Sequence, residues 1–192
     1  LILGSLKSVA QETNTYPDLL AMFVDEKFEK CLYKAEKYTL NDKTKKDALP
    51  YLFMSRCYFE MSKRDEFKEK YDRAAKDSFK YASKYIAKDK ERKFYAEHED
   101  YFTELRNKAI AEAELSMDNK KYSQSKAYYD YLTDWDPNDA GAWIMMGVSF
   151  EFSKQKKEAE SALKTAQTLL SGKTCSVEIQ GQKDLLKNAI IA

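Results

Sequence analysis

The residues best able to do chemistry in this 192-residue chain are its one histidine, its three cysteines and two short acidic or glycine-bearing motifs. His98 lies in Glu97-His98-Glu99-Asp100. Four consecutive residues on a helix point in different directions around it, so the expectation is a solvated charge cluster rather than a metal site or a general base. No second histidine completes a ligand set, and no Ser-His-Asp or Cys-His arrangement can be built. Asp134-Trp135-Asp136-Pro137-Asn138-Asp139 resembles the start of a calcium loop. Such a loop needs Gly at its sixth position and Glu at its twelfth, where this chain has Asp139 and Met145. Gly172-Lys173-Thr174 echoes a phosphate loop without the upstream glycine or a preceding strand, and reads as a helix C-cap. Cys31, Cys57 and Cys175 show no paired short spacing. Cys31 and Cys57 read as buried free thiols, with a Cys31–Cys57 disulfide as the alternative if the chain is exported. No catalytic residue, cofactor or metal is expected.

The elements that carry these residues are helical. The chain holds only 5 Gly and 3 Pro, and β-branched runs are nearly absent. Apolar residues recur at three and four, as in Phe67, Tyr71, Ala74, Ala75, Phe79, Ala82 and Ile86. The fold class is all-α, with long helices expected over Asp65–Lys88 and Arg92–Met117 and a turn at Asp89-Lys90-Glu91. A composition 43% hydrophobic and 34% charged suffices for one extended domain with a real core. The net charge of +1 provides no global field to recruit nucleic acid or a membrane. Ser62–Lys93 is locally basic, with 12 Lys/Arg against 7 Asp/Glu. A solvated face with i,i+4 pairs such as Glu66–Lys70 is expected there. A phosphate-binding strip would need arginines at regular spacing, and Arg64, Arg73 and Arg92 are dispersed.

A repeat runs through the second half. Counting from Ala140 as position 1, Trp143 falls at 4, Met146 at 7, Gly147 at 8, Phe150 at 11, Ala159 at 20, Leu163 at 24 and Ala166 at 27. Small residues at 8, 20 and 27 let two helices cross closely, and large ones fill the space between. This pattern resembles the tetratricopeptide repeat (TPR), whose period is about 34 residues. One period earlier, from Arg106, Ala113 falls at 8, Ser125 at 20, Tyr129 at 24 and Pro137 at 32; positions 4 and 27 depart from the pattern. Asp136-Pro137-Asn138-Asp139 then stops one helix and caps the next. A weaker copy starts near Ala48, with Tyr51 at 4, Ser55 at 8 and Tyr58 at 11, but with Phe67 where a small residue belongs at 20. The 24 extra residues before Arg106 are expected to lengthen the central helices. Upstream, Lys27–Tyr38 looks like a second repeat helix with Phe28 at 17, Cys31 at 20 and Ala35 at 24; its partner is a short helix over about Pro17–Val24.

The resemblance implies a TPR-like helical-hairpin solenoid, a right-handed superhelix over residues 17–171 with repeats at 48–81, 106–139 and 140–171. Residues 172–192 would add a C-terminal capping helix packed through Ala189, Ile190 and Ile191. It also implies a groove lined by positions 2, 5, 9 and 12: Leu49, Leu52, Arg56 and Phe59; Asn107, Ile110, Glu114 and Met117; Gly141, Ile144, Val148 and Glu151. Position 5 is Leu52, Ile110 and Ile144, so the family's carboxylate clamp is absent and the groove should take a hydrophobic or helical segment, the chain's own C-terminus included. Tyr128 and Tyr131 flank Tyr129 and are expected to face outward as aromatic surface. The expected function is a non-catalytic scaffold or adaptor for a protein partner, with no nucleic acid and no integral membrane segment. Leu1-Ile2-Leu3-Gly4-Ser5-Leu6 followed by Ser8-Val9-Ala10 reads either as the tail of a secretory signal peptide or as a packed amphipathic helix. The first reading resembles exported TPR proteins of the Bacteroidetes type and places the chain in a periplasmic or envelope assembly; the second makes it a cytoplasmic adaptor. A third reading, a helical enzyme or ligand carrier, requires inward polar residues clustered around His98, and the repeat phase places none there.

Overall fold

The computed structural model describes residues 16–92, 95–173 and 177–191, without the side chains of 177–179 and 191. Residues 1–15 and Cys175 lie outside the described residues. Every regular element among those described is helical. The α-helices are α1 (Pro17–Val24), α2 (Phe28–Leu40), α3 (Leu49–Ser62), α4 (Ala74–Lys88), α5 (Glu99–Asp118), α6 (Tyr122–Trp135), α7 (Ala140–Phe152), α8 (Lys156–Leu170) and α9 (Val177–Ile191); two short 3-10 turns span Asp65–Phe67 and Ala96–His98. The chain forms two compact units, residues 1–105 and 106–192, and the division falls within α5.

In the first unit α3 packs on both α2 and α4 and buries most of its circumference. Leu49, Leu52, Phe53, Met54, Cys57, Phe59 and Met61 are all core residues. Closeness between α3 and α4 comes from Ser55 and Ser78, both fully buried. The Ser55 hydroxyl donates to the Ser78 carbonyl at 2.6 Å, so the pair touches without stranding a polar group. Cys31 and Cys57 are buried free thiols, as expected, and burial pushes the Cys57 thiol up.

Two long helices expected in this region are shorter. The segment 65–73 does not join α4. Phe67 instead packs against Phe28 of α2 and Tyr71, and the Lys70 ammonium and Tyr71 hydroxyl both donate to Glu29 at 2.6 and 3.0 Å. Tertiary anchoring to α2 overrides local helix propensity. The next helix starts at Glu99 rather than Arg92, because Arg92 takes a left-handed backbone (φ 51°), which ends helical continuation. At 20 residues α5 is still the longest helix described.

In the second unit α6 and α8 flank α7, and α9 packs on α7 and α8. Asp139 caps α7 by accepting from the Ala142 backbone N–H at 3.0 Å, and Asp136 accepts from the Asn138 N–H, so the apparent calcium motif is an inter-helix turn. Gly172 (φ 76°) follows α8 in the left-handed C-cap conformation expected of it. The last helix packs through Leu186 and Ala189 rather than through Ile190, which stays 56% exposed. Tyr128 is buried, contrary to its expected outward position, and Tyr131 stacks on Trp135.

One turn geometry is found in both units, once in the first and twice in the second. Glu26, Lys120 and Lys154 all adopt left-handed backbones with φ of 57°, 57° and 61°. After each, an N–H reaches back five residues: Lys27 to Met22 (2.9 Å), Lys121 to Ser116 (2.8 Å) and Gln155 to Phe150 (3.0 Å). This closes the preceding helix in the six-to-one pattern that satisfies its last carbonyls. Four residues beyond each turn's N-cap comes a buried small side chain, Cys31, Ser125 or Ala159. Gly147 supplies the closest approach: a Cβ there would lie 2.8 Å from Leu163 Cδ2 and 3.4 Å from the Ala159 carbonyl.

The variant Gly147→Ala should therefore lose about 1–3 kcal/mol of stability from overpacking, despite alanine's better helix propensity, as measured by urea unfolding. A neutral or stabilising result would show that α7 and α8 do not depend on that contact.

Candidate functional site

The groove positions named by the repeat phase fall into both units and into different environments. Leu49, Leu52, Phe59 and Ile144 are core residues in this structure, each no more than 4% exposed. They are held by neighbouring helices and offer no surface to a partner. Arg56, Ile110, Met117, Gly141 and Val148 are half-buried, while Asn107, Glu114 and Glu151 are exposed. Position counting identifies which face of a helix turns inward, but not whether that face is already covered.

A cavity of about 250 Å³ in the second unit gathers three of these positions, Ile110, Glu114 and Gly141. Tyr129, Leu132, Ala142 and Met145 complete its apolar wall, and Leu185 of α9 reaches its edge. Its rim carries charge of both signs. Arg106 binds Asp139 through Nη2 at 2.6 Å, tying the rim to the residue that caps α7. Glu114 faces Tyr129, whose phenol is pushed up to about 12 by burial and then by that carboxylate. An apolar hollow with a few fixed polar groups suits a side chain from another segment. Glu151 lies elsewhere, beside a hollow of about 510 Å³ that also meets Leu163, Ala189 and Ile190.

The first unit holds a second polar cluster, and it corrects the reading of His98. The ring is buried, 7% exposed, instead of solvated. Its α5 neighbour Tyr101 exchanges a 2.6 Å hydrogen bond with Ser55. Arg56 lies over the Phe23 ring at 4.4 Å and the Tyr101 ring at 5.8 Å. Beneath, the Tyr85 hydroxyl donates to the buried Asp89 at 2.8 Å. Burial first, and the positive charge of Arg56 second, lower His98 to about 4, with Asp89 opposing. His98 Nε2 has no hydrogen-bond partner among the described residues. Phe23 of α1, Arg56 of α3, the end of α4, the 3-10 turn that holds His98 and the start of α5 together make this cluster. Arg56 was legible as an inward position, but nothing in the spacing of 98 relative to 56 announces the contact.

No family model and no curated protein matches the chain. Among the described residues no group of His, Cys, Asp and Glu is arranged to hold a metal ion, and no helix is long and apolar enough to cross a membrane.

The single histidine makes its own probe. An NMR titration should place His98 near pH 4, well below the usual 6.5. The lowered folded value has a definite sign. The unfolded chain takes up a proton first, so stability is complete above about pH 6.5 and falls as the pH drops toward 4. The full loss is about 3 kcal/mol. Unfolding of His98→Gln compared with the parent at pH 7 and pH 4.5 reads this directly, and a His98 that titrates at 6 or above would contradict the buried placement.

Proposed function

We propose that this chain is a TPR-like helical-hairpin protein that binds a partner protein without catalysing a reaction. The observation that carries the reading is the apolar cavity of the second unit, where Ile110, Glu114 and Gly141 stand at the positions by which TPR grooves hold a partner segment. The recurrence of one left-handed turn at Lys120 and Lys154, 34 residues apart, supports the repeat reading. So do the small buried residues Ala113, Gly147, Ser125 and Ala159 at its crossing positions. The segment that fits is apolar or helical, with at least one large side chain to fill the hollow between Ile110, Tyr129 and Met145. A cell-envelope assembly is the proposed setting, resting on the signal-peptide reading of the N-terminal residues; a cytoplasmic adaptor is the alternative.

A second reading has one observation in its favour. The cluster of half-buried Arg56 with buried His98, Tyr85 and Asp89 is the inward polar group that a helical ligand carrier requires. Its charges are nevertheless matched locally: Glu60 lies on the same helix as Arg56 and Asp89 opposes it at His98. A structural polar cluster accounts for that balance.

Replacing Leu52 or Ile144 would test folding, since both are buried. Ile110→Glu tests the groove, with Leu115→Glu as its control, because Leu115 is on the same helix and 57% exposed. With the tagged full chain as bait in native extract, Ile110→Glu should reduce recovery of the bound protein at least tenfold, while Leu115→Glu leaves it unchanged. Equal recovery by both variants would remove the cavity from partner binding.

A further inference from the structure

The outer face of α4 carries a row that the rest of the first unit does not have. Lys76, Lys80, Lys84 and Lys88 stand at every fourth residue and are all exposed, opposite the buried face of Ala74, Ser78, Phe79, Ala82 and Tyr85. The only acidic residue in the helix is Asp77. Three successive like-charged i,i+4 neighbours work against the helix that carries them. Only Lys88, in the last turn, is favoured by the helix dipole.

Six lysines elsewhere in this unit meet carboxylates, whereas Lys30, Lys37, Lys43, Lys46 and Lys90 form no ion pair among the described residues but do not line up as one four-residue row. Lys27, Lys34, Lys45, Lys63, Lys68 and Lys70 pair with Asp25, Asp18, Asp42, Glu60 and Glu104, Asp65, and Glu29 respectively. The expected i,i+4 pairing of Lys70 with Glu66 is replaced by its bond to Glu29 across to α2. None of the four α4 lysines lies within 4 Å of a carboxylate among the described residues. Their contacts are aromatic: Lys80 and Lys84 lie over Tyr81 at 5.4 and 4.9 Å, and Lys88 lies over Tyr51 at 4.8 Å while donating to the Lys45 carbonyl. Asp77 and Glu36 act on Tyr81 and Tyr58 rather than forming ion pairs with the row.

We propose that this face of α4 docks an acidic helical segment of a protein partner. Charge complementarity and pitch select that occupant. A helix advances about 6 Å in four residues, so the row steps by about 6 Å over a length of roughly 18 Å. Glutamates at every fourth position of a second helix have the same step. Single-stranded nucleic acid fits less well. It relies on open aromatic faces for stacking, whereas Tyr81 is already stacked on Tyr58 and capped by two lysines. An anionic membrane would draw on apolar side chains beside the lysines, and the row's exposed neighbours are Arg73 and Ala87. This surface is independent of the second unit's cavity.

The probes are a 17-residue alanine-rich helical peptide with glutamate at every fourth position, its glutamine counterpart, an oligothymidylate and vesicles of phosphatidylserine in phosphatidylcholine. The full chain should bind the glutamate peptide in preference to the other three, with affinity falling as salt rises. Lys80→Glu with Lys84→Glu should weaken that binding at least tenfold. Lys156→Glu with Lys157→Glu, which makes the same change of net charge on α8, should leave it unchanged. Circular dichroism melting of both double variants checks that the fold is kept, as expected for exposed charge changes. Equal loss in both double variants, no preference for glutamate over glutamine, or tighter binding of the oligothymidylate or vesicles would overturn the proposal. Because Ile110→Glu leaves α4 untouched, failure here does not bear on the cavity.

Discussion

The close crossing of paired helices through residues with almost no side chain is the constraint on which this molecule depends. Between α7 and α8, Gly147 leaves the space that Leu163 fills, with the Ala159 carbonyl immediately behind it. Between α3 and α4 the same closeness is achieved by Ser55 and Ser78, at the cost of a hydroxyl that must be satisfied and is. Ser125 and Ser149 meet at 3.2 Å between α6 and α7. When backbones approach this closely, large residues one turn away are forced into the flanking space. Phe79, Tyr85, Leu132 and Ile144, on the same helices as these small residues, are all buried.

Tight crossings also require abrupt turns, which explains the left-handed residues. A lysine or glutamate in that conformation carries strain that a glycine would not. Glu26, Lys120 and Lys154 tolerate it because the six-to-one hydrogen bond beyond each one closes the helix and aims the next at its partner. Crossing residue and turn are thus one device: the first sets how near the helices come, the second sets where the return helix begins. What remains outward is then free to specialise. In the second unit this leaves an apolar hollow with a charged rim, and in the first a helix face of unpaired lysines.

The sequence made the helical class legible through its spacing of apolar residues, and the crossing residues through the small side chains at 113, 125, 147 and 159. The Asp139 cap and the Gly172 turn were readable because their chemistry is local. The start of α4 was not, since Phe67 and Lys70 are drawn to α2 by contacts about 40 residues away in the chain. His98 departs from its expected exposure for the same reason. Its neighbours in sequence are acidic and polar, but its neighbours in space are Arg56 and Asp89, and burial is decided there. Four of the inferred groove positions proved to be core because a repeat phase reports the inward face of a helix and cannot report what already covers it.

The dependence of the fold on close crossing is tested most directly by a double-mutant cycle on Gly147→Ala and Leu163→Ala, with stability read by urea unfolding. If the cost of the added methyl is its collision with Leu163, trimming Leu163 removes the collision. The Gly147→Ala penalty then shrinks by 1 kcal/mol or more in the Leu163→Ala background, a coupling of the size expected for touching residues, roughly 0.5–3 kcal/mol. Penalties that simply add would contradict the account, because Gly147 would then owe its place to something other than the packing of α7 on α8.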